Sequence, residues 1–125
     1  MDKLCISKTK YTPEVCMDSA TRTVSFTGNC YPENAAEFFV PIFDWLREYI
    51  KQFERIEVDF KVNYFNTSSS KCFLIILEIL EQFASSNGKV MVNWYYREDD
   101  EDMLESGEEL FFGINLPHKV IPFSE

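Results

Sequence analysis

The stretch "RIEVDFKVNYFNTSSSKCFLIILEIL", Arg55 to Leu80, changes its hydrophobic period halfway along. Ile56, Val58, Phe60, Val62 and Tyr64 recur at every second position, the period of a strand with one buried face. Further on, Phe73, Leu77 and Leu80 share a face with Ile76 and Phe83, which is the period of a helix, and Asn87-Gly88 supplies its stop. Between the two lies the polar run Asn66-Thr67-Ser68-Ser69-Ser70 followed by Lys71. A strand feeding directly into a helix is the unit from which α/β folds are built.

The flanking sequence extends this pattern. Upstream, "YPENAAEFFVPIFDWLREYIKQF" carries Phe38, Ile42, Trp45, Leu46, Tyr49 and Phe53 at helical spacing. Asn34 with Glu37 three residues on resembles a capping box. Pro41 lacks an N–H, so it is expected either to kink this helix or to open its main body. Nearer the N-terminus, Val15 and Met17, then Val24 and Phe26, alternate on either side of "SAT" and read as a hairpin, with Gly28 and Asn29 ending its second strand. Downstream, "KVMVNWYY" is a continuous apolar strand expected at the sheet centre. Met103, Leu104, Leu110 and Phe111 outline a short amphipathic helix with acids in its first turn, where the helix dipole favours them. The stretch "FGINLPHKVIPF" fits an edge strand, since Pro117 and Pro122 are tolerated there. The expected order is ββαβαβα(β): a single-domain α/β protein, residues 1–125, with a mixed β-sheet, an N-terminal hairpin and packed helices.

Composition agrees with one well-packed domain. The chain has 125 residues, 46% of them hydrophobic, enough for one core and too few for two. No apolar run approaches the length of a transmembrane helix, and the opening "MDKLCISKTKY" has no signal-peptide character, so the chain reads as cytoplasmic. The four cysteines, Cys5, Cys16, Cys30 and Cys72, form no CxxC pair and are read as reduced thiols. Together with the lone His118 they offer no zinc-ligand spacing, and neither metal nor cofactor is expected.

The net charge of −9 is concentrated in "REDDEDMLESGEE", Arg97 to Glu109, which alone carries −7. Such an acidic surface argues against nucleic-acid binding and against docking on an anionic membrane. Asp99, Asp100 and Asp102 give this segment the composition of a calcium loop. The position where an EF-hand needs Gly, counted from Asp100, is Glu105. A small metal- or ligand-binding module built on residues 98–109 is the alternative functional reading.

The run from Asn66 to Lys71 remains the most chemically loaded segment. Ser68 to Lys71 matches SxxK in form, but the SDN and KTG partners of that nucleophile motif are missing. Two readings stay open on the residues alone. One side chain of the run caps the helix. Alternatively, a hydroxyl receives a phosphate, which the helix N-terminus and Lys71 would stabilise. A single cap needs one side chain and this run offers five.

Three segments, "YPENAAEFFVPIFDWLREYI", "YFNTSSSKCFLIILEIL" and "VNWYYREDDEDMLESGEE", together resemble the SiaC family of bacterial regulatory phosphoproteins, over about Tyr11 to Pro117. The resemblance implies a STAS-like fold, similar to anti-sigma-factor antagonists, with a phosphorylated hydroxyl at a strand-to-helix junction. It implies Thr67 as the acceptor, with Asn66, Ser68, Ser69, Ser70 and Lys71 around it. It further implies a non-enzymatic partner-switching protein, phosphorylated by a dedicated protein kinase and dephosphorylated by a metal-dependent Ser/Thr phosphatase. The unphosphorylated form would bind and activate a diguanylate cyclase or similar effector, raising cyclic di-GMP and promoting biofilm or aggregation. Tyr31, Glu33 and Asn34, and the acids Asp99, Asp100 and Asp102, are the expected further partner contacts.

Overall fold

The computed structural model describes residues 1–124. Its six strands form one sheet in chain order: β1 (Leu4–Ile6), β2 (Glu14–Asp18), β3 (Thr23–Cys30), β4 (Arg55–Phe65), β5 (Lys89–Arg97) and β6 (His118–Phe123). β1, β2 and β3 form an antiparallel meander, while β3 to β6 run parallel. Each parallel step is bridged by a helix: α1 (Ala35–Gln52), α2 (Thr67–Ser85) and α3 (Glu101–Phe111). The mixed α/β sheet with its N-terminal hairpin is as expected, and β6 is indeed an edge.

All three helices lie on one face of the sheet. Along β4, Ile56, Val58, Phe60 and Val62 are buried, whereas Glu57, Lys61 and Asn63 are exposed. Phe73 of α2 is the hub of the buried side. Its ring lies 5.0 Å from Phe60, 5.9 Å from Phe39 of α1, and 6.4 Å from Trp94 of β5. Trp94 in turn meets Phe111 of α3 at 6.4 Å. Fully buried aromatic rings contribute roughly 1.5–3 kcal/mol each from area alone, so this cluster anchors the helical layer.

Four details depart from the expectation. First, β1 adds an edge strand that three residues of weak alternation do not announce. Second, Gly28 and Asn29 do not end β3; the strand runs on to Cys30, and the pairing register with β4 shifts between these two residues. Val62 faces Gly28 and Tyr64 faces Asn29, which leaves Asn63 as an extra residue on β4. Such a bulge reverses the side-chain alternation beyond it. Tyr64 therefore does not share the face of Val62; it is 54% exposed, and Phe65 turns inward against Phe73 at 5.3 Å. Third, Pro41 does not open α1, which begins at its Asn34 cap and continues through the proline. Pro41 and Glu37 are both exposed, so water can reach the Glu37 carbonyl left without an amide partner. Fourth, β5 is interior but stands next to the edge, and one of its faces carries no helix. There Asn93, buried, donates to Glu57 and to Asp59, both at 2.7 Å.

Candidate functional site

In a sheet of this topology, loops and helix starts gather at the carboxyl ends of the parallel strands, where α/β proteins commonly place their sites. Tyr31, Glu33 and Asn34 follow β3. Asn66 to Lys71 follow β4, and Asp99, Asp100 and Asp102 follow β5. All the residues singled out from the sequence therefore lie along one edge, on three consecutive strand-to-helix junctions.

The central junction is built by capping. Asn66 has extended backbone dihedrals, and its side-chain oxygen accepts the Ser69 amide at 2.9 Å. Its own amide donates to the Cys30 carbonyl at 3.2 Å, which ties the start of α2 to the end of β3. The first turn then sorts the hydroxyls. Ser69 is fully buried, 3.4 Å from the Cys30 thiol. Ser70 is half-buried and donates to the Thr67 carbonyl at 2.7 Å. Thr67 and Ser68 are exposed, as is Lys71 one turn on. As the first residues of a helix, Thr67 and Ser68 have amides without an intrahelical carbonyl, and the helix dipole makes this end electropositive. Burial pushes the Cys30 thiol up to about 11 against the opposing pull of Ser69, and also raises the neighbouring Cys72. Both stay protonated at neutral pH, so the floor beneath the junction is uncharged.

The other junctions use the same device. Asn34 accepts the Glu37 amide at 3.1 Å, and its side-chain amide donates to the Glu37 carboxylate at 3.3 Å. Asp100 accepts the Met103 amide at 3.1 Å and so caps α3. This role occupies the residue from which a calcium loop would be counted. Among the described residues, no group of three His, Cys, Asp or Glu side chains is placed to hold a metal ion. Asp99 and Asp102 are exposed beside Asp100.

The structure adds two aromatic residues that the sequence pattern hid. The Tyr31 ring stands between Tyr11 at 5.3 Å and Tyr64 at 5.5 Å, both edge to face. Tyr11 is 51% exposed, and its carbonyl accepts the Tyr31 amide at 2.8 Å. Beside the row lies a surface hollow of about 600 Å³ lined by Thr9, Tyr11, Thr12, Tyr31, Pro32 and Glu33. On the other flank, Phe65, Ser70 and Leu74 face Ser106, Glu109 and Leu110 across a groove of about 260 Å³ between α2 and α3. Strict alternation places Tyr64 on the buried face, and Tyr11 sits in no periodic segment. Only their position next to turn-forming residues hinted at exposure.

The chain is thus a single α/β domain that gathers three capped helix starts, exposed hydroxyls and exposed aromatic rings on one edge. Residues 6–123 match the SiaC family of regulatory phosphoproteins, and the chain belongs to that family. It is 31% identical over 121 residues to an uncharacterised protein of Pseudomonas aeruginosa strain UCBPP-PA14, covering 96% of each chain. Its fold is similar to that of apo-SiaC from Pseudomonas aeruginosa, with a TM-score of 0.90 and 30% identity over 97% of this chain and 99% of that one. It is equally similar to SiaC crystallised with the diguanylate cyclase SiaD, which that SiaC activates, with a TM-score of 0.92 and 30% identity over 96% of this chain and 99% of that one. No described helix is long and apolar enough to cross a membrane.

Proposed function

We propose that this chain is a phosphorylation-controlled binding protein whose unmodified form binds and activates a diguanylate cyclase. In this reading the chain catalyses nothing itself. A dedicated kinase places a phosphate on Thr67, and a metal-dependent Ser/Thr phosphatase removes it. Family membership and the complex formed by the Pseudomonas aeruginosa relative support the cyclase as partner. The observation that carries the acceptor is the sorting of the hydroxyls. Ser69 is buried and Ser70 is engaged with the backbone, which leaves Thr67 and Ser68 open to a kinase. Thr67 is the nearer to the Asn66 cap, and Lys71 lies four residues on, the spacing at which helix side chains meet.

The consequence for binding is electrostatic. A phosphate adds about −1.5 to −2 charge to a neutral patch flanked by tyrosines on one side and by the acidic α3 on the other. Pressing that charge against a partner shaped for the neutral form costs several kcal/mol, and a loss of about 3 kcal/mol weakens binding roughly a hundredfold. Incubation with the cognate kinase and ATP, followed by intact-mass and fragment analysis, tests the assignment. One phosphate on Thr67 is expected, with a matching loss of cyclase stimulation. Phosphate on Ser68 keeps the switch and moves the acceptor. No phosphate anywhere from Asn66 to Ser70 would falsify it.

A further inference from the structure

Two of the four cysteines face each other across neighbouring strands. Cys5 of β1 and Cys16 of β2 are direct partners in the antiparallel register, and their Sγ atoms are 2.8 Å apart. Cys5 is exposed and Cys16 partly so, whereas Cys30 and Cys72 are buried. Facing residues of an antiparallel pair hold their Cα atoms about 4.5–5.5 Å apart, inside the range that a disulfide spans without moving the backbone.

The segment between these cysteines leads to the edge described above. It carries Thr9, Tyr11 and Thr12, and Tyr11 supports Tyr31 through both its carbonyl and its ring. β1 is a short edge strand whose Leu4 and Ile6 pack against the core. It makes three residue pairs with β2, and just before it the Met1 and Asp2 carbonyls accept from Ser19 Oγ and Trp45 Nε1 at 3.2 and 2.9 Å.

We propose that Cys5 and Cys16 are a reversible oxidation site that closes to an intramolecular disulfide, clasping β1 to β2 and fixing the Tyr11 segment against Tyr31. The oxidant is a small-molecule disulfide of the glutathione type. The Cys5 thiolate attacks one of its sulfurs, forming a mixed disulfide and releasing one small thiol. Cys16 then loses its proton and attacks the Cys5 sulfur, which expels the second small thiol. The protein dithiol is oxidised by two electrons, and the small disulfide is reduced to two thiols. The order follows from the surroundings. Cys5 is exposed and Cys16 is only partly so, and Cys5 therefore meets the oxidant first.

Disulfide closure does not depend on phosphorylation, so this inference and the proposed function can fail separately. The full chain, reduced and then exposed to a series of oxidised-to-reduced glutathione ratios, is analysed by intact mass, peptide mapping and hydrogen exchange. The expected product has lost two hydrogens, contains a Cys5–Cys16 crosslinked peptide, and leaves Cys30 and Cys72 open to alkylation after unfolding. Its amides from β1 through the Tyr11 segment exchange more slowly than in the reduced chain. Cys5→Ser and Cys16→Ser each abolish the crosslink. A glutathione adduct that stays on Cys5, a disulfide-linked dimer, or closure without any change in exchange across that segment each overturns the proposal.

Discussion

The Tyr64 ring stands edge to face against Tyr31, centroids 5.5 Å apart, because the extra residue Asn63 turns Tyr64 out of the core. The contact joins the ends of β3 and β4 on the edge that carries Thr67. Under the proposed function, exposed tyrosines there would offer a partner rigid apolar area at little conformational cost. Tyr64→Ala is expected to change folding stability by no more than about 0.5 kcal/mol. It should weaken cyclase binding by at least roughly tenfold, or about 1.4 kcal/mol. Denaturant titration and calorimetry measure the two separately, and unchanged binding would remove the tyrosine row from the interface.

Asn66 caps α2 through the Ser69 amide. Asn66→Ala removes that acceptor and is expected to cost about 1 kcal/mol of stability, while Asn66→Asp retains it. Chemical denaturation of the three proteins checks the ranking.

Thr67→Ala and Thr67→Glu make a paired test of the switch. Thr67→Ala should bind and stimulate the cyclase as the unmodified chain does, because a small neutral residue leaves the patch uncharged. Thr67→Glu should bind more weakly, although by less than the phosphate, whose charge is larger. Cyclic di-GMP synthesis measured across a concentration series of each variant reads the effect. Equal stimulation by both variants would show that charge at this position is not what the partner senses.

Gly107 lies against the buried indole of Trp94, which donates to the Met103 carbonyl at 2.9 Å. A Cβ there would come within 2.4 Å of the indole ring, and Trp94 is fully buried. Gly107→Ala, favourable for an isolated helix, is expected to lower stability here by about 1–3 kcal/mol and to loosen α3. A thermal melt and Trp fluorescence report both effects.

Alkaline pH should destabilise the fold through Cys30. Its thiol is raised from 9.0 to about 11 by burial, so between these values the folded chain holds a proton that the unfolded chain has released. That contribution is complete below about pH 9 and declines as pH rises toward 11, with about 3 kcal/mol at stake for a two-unit shift. Denaturation midpoints across this range should fall more steeply in the parent chain than in Cys30→Val.

Much of the architecture was legible along the chain. The two-residue period from Ile56 to Val62, the helical period from Phe73 to Phe83 and the cap at Asn34 act within a few residues of each other and agree with the structure, whereas the sequence left the α2 cap open among Asn66 and the hydroxyls after it. The departures share a different cause. Tyr64 and Phe65 exchanged faces because β4 gains one residue against β3, a matter of register with a strand some thirty residues earlier. Gly28 looked like a terminator, yet its positive φ of 114° accompanies a register shift inside a continuing strand.

The amino-acid sequence by itself determined the three helices, the strands other than β1, and that hydroxyls crowd the first turn of α2, because periodicity and capping are local. Tertiary structure alone decided which hydroxyls face water, that Tyr11, Tyr31 and Tyr64 form one row, and that Cys5 meets Cys16. Those outcomes depend on how distant strands align, and strand register is set by the packing of the whole sheet face rather than by any one segment.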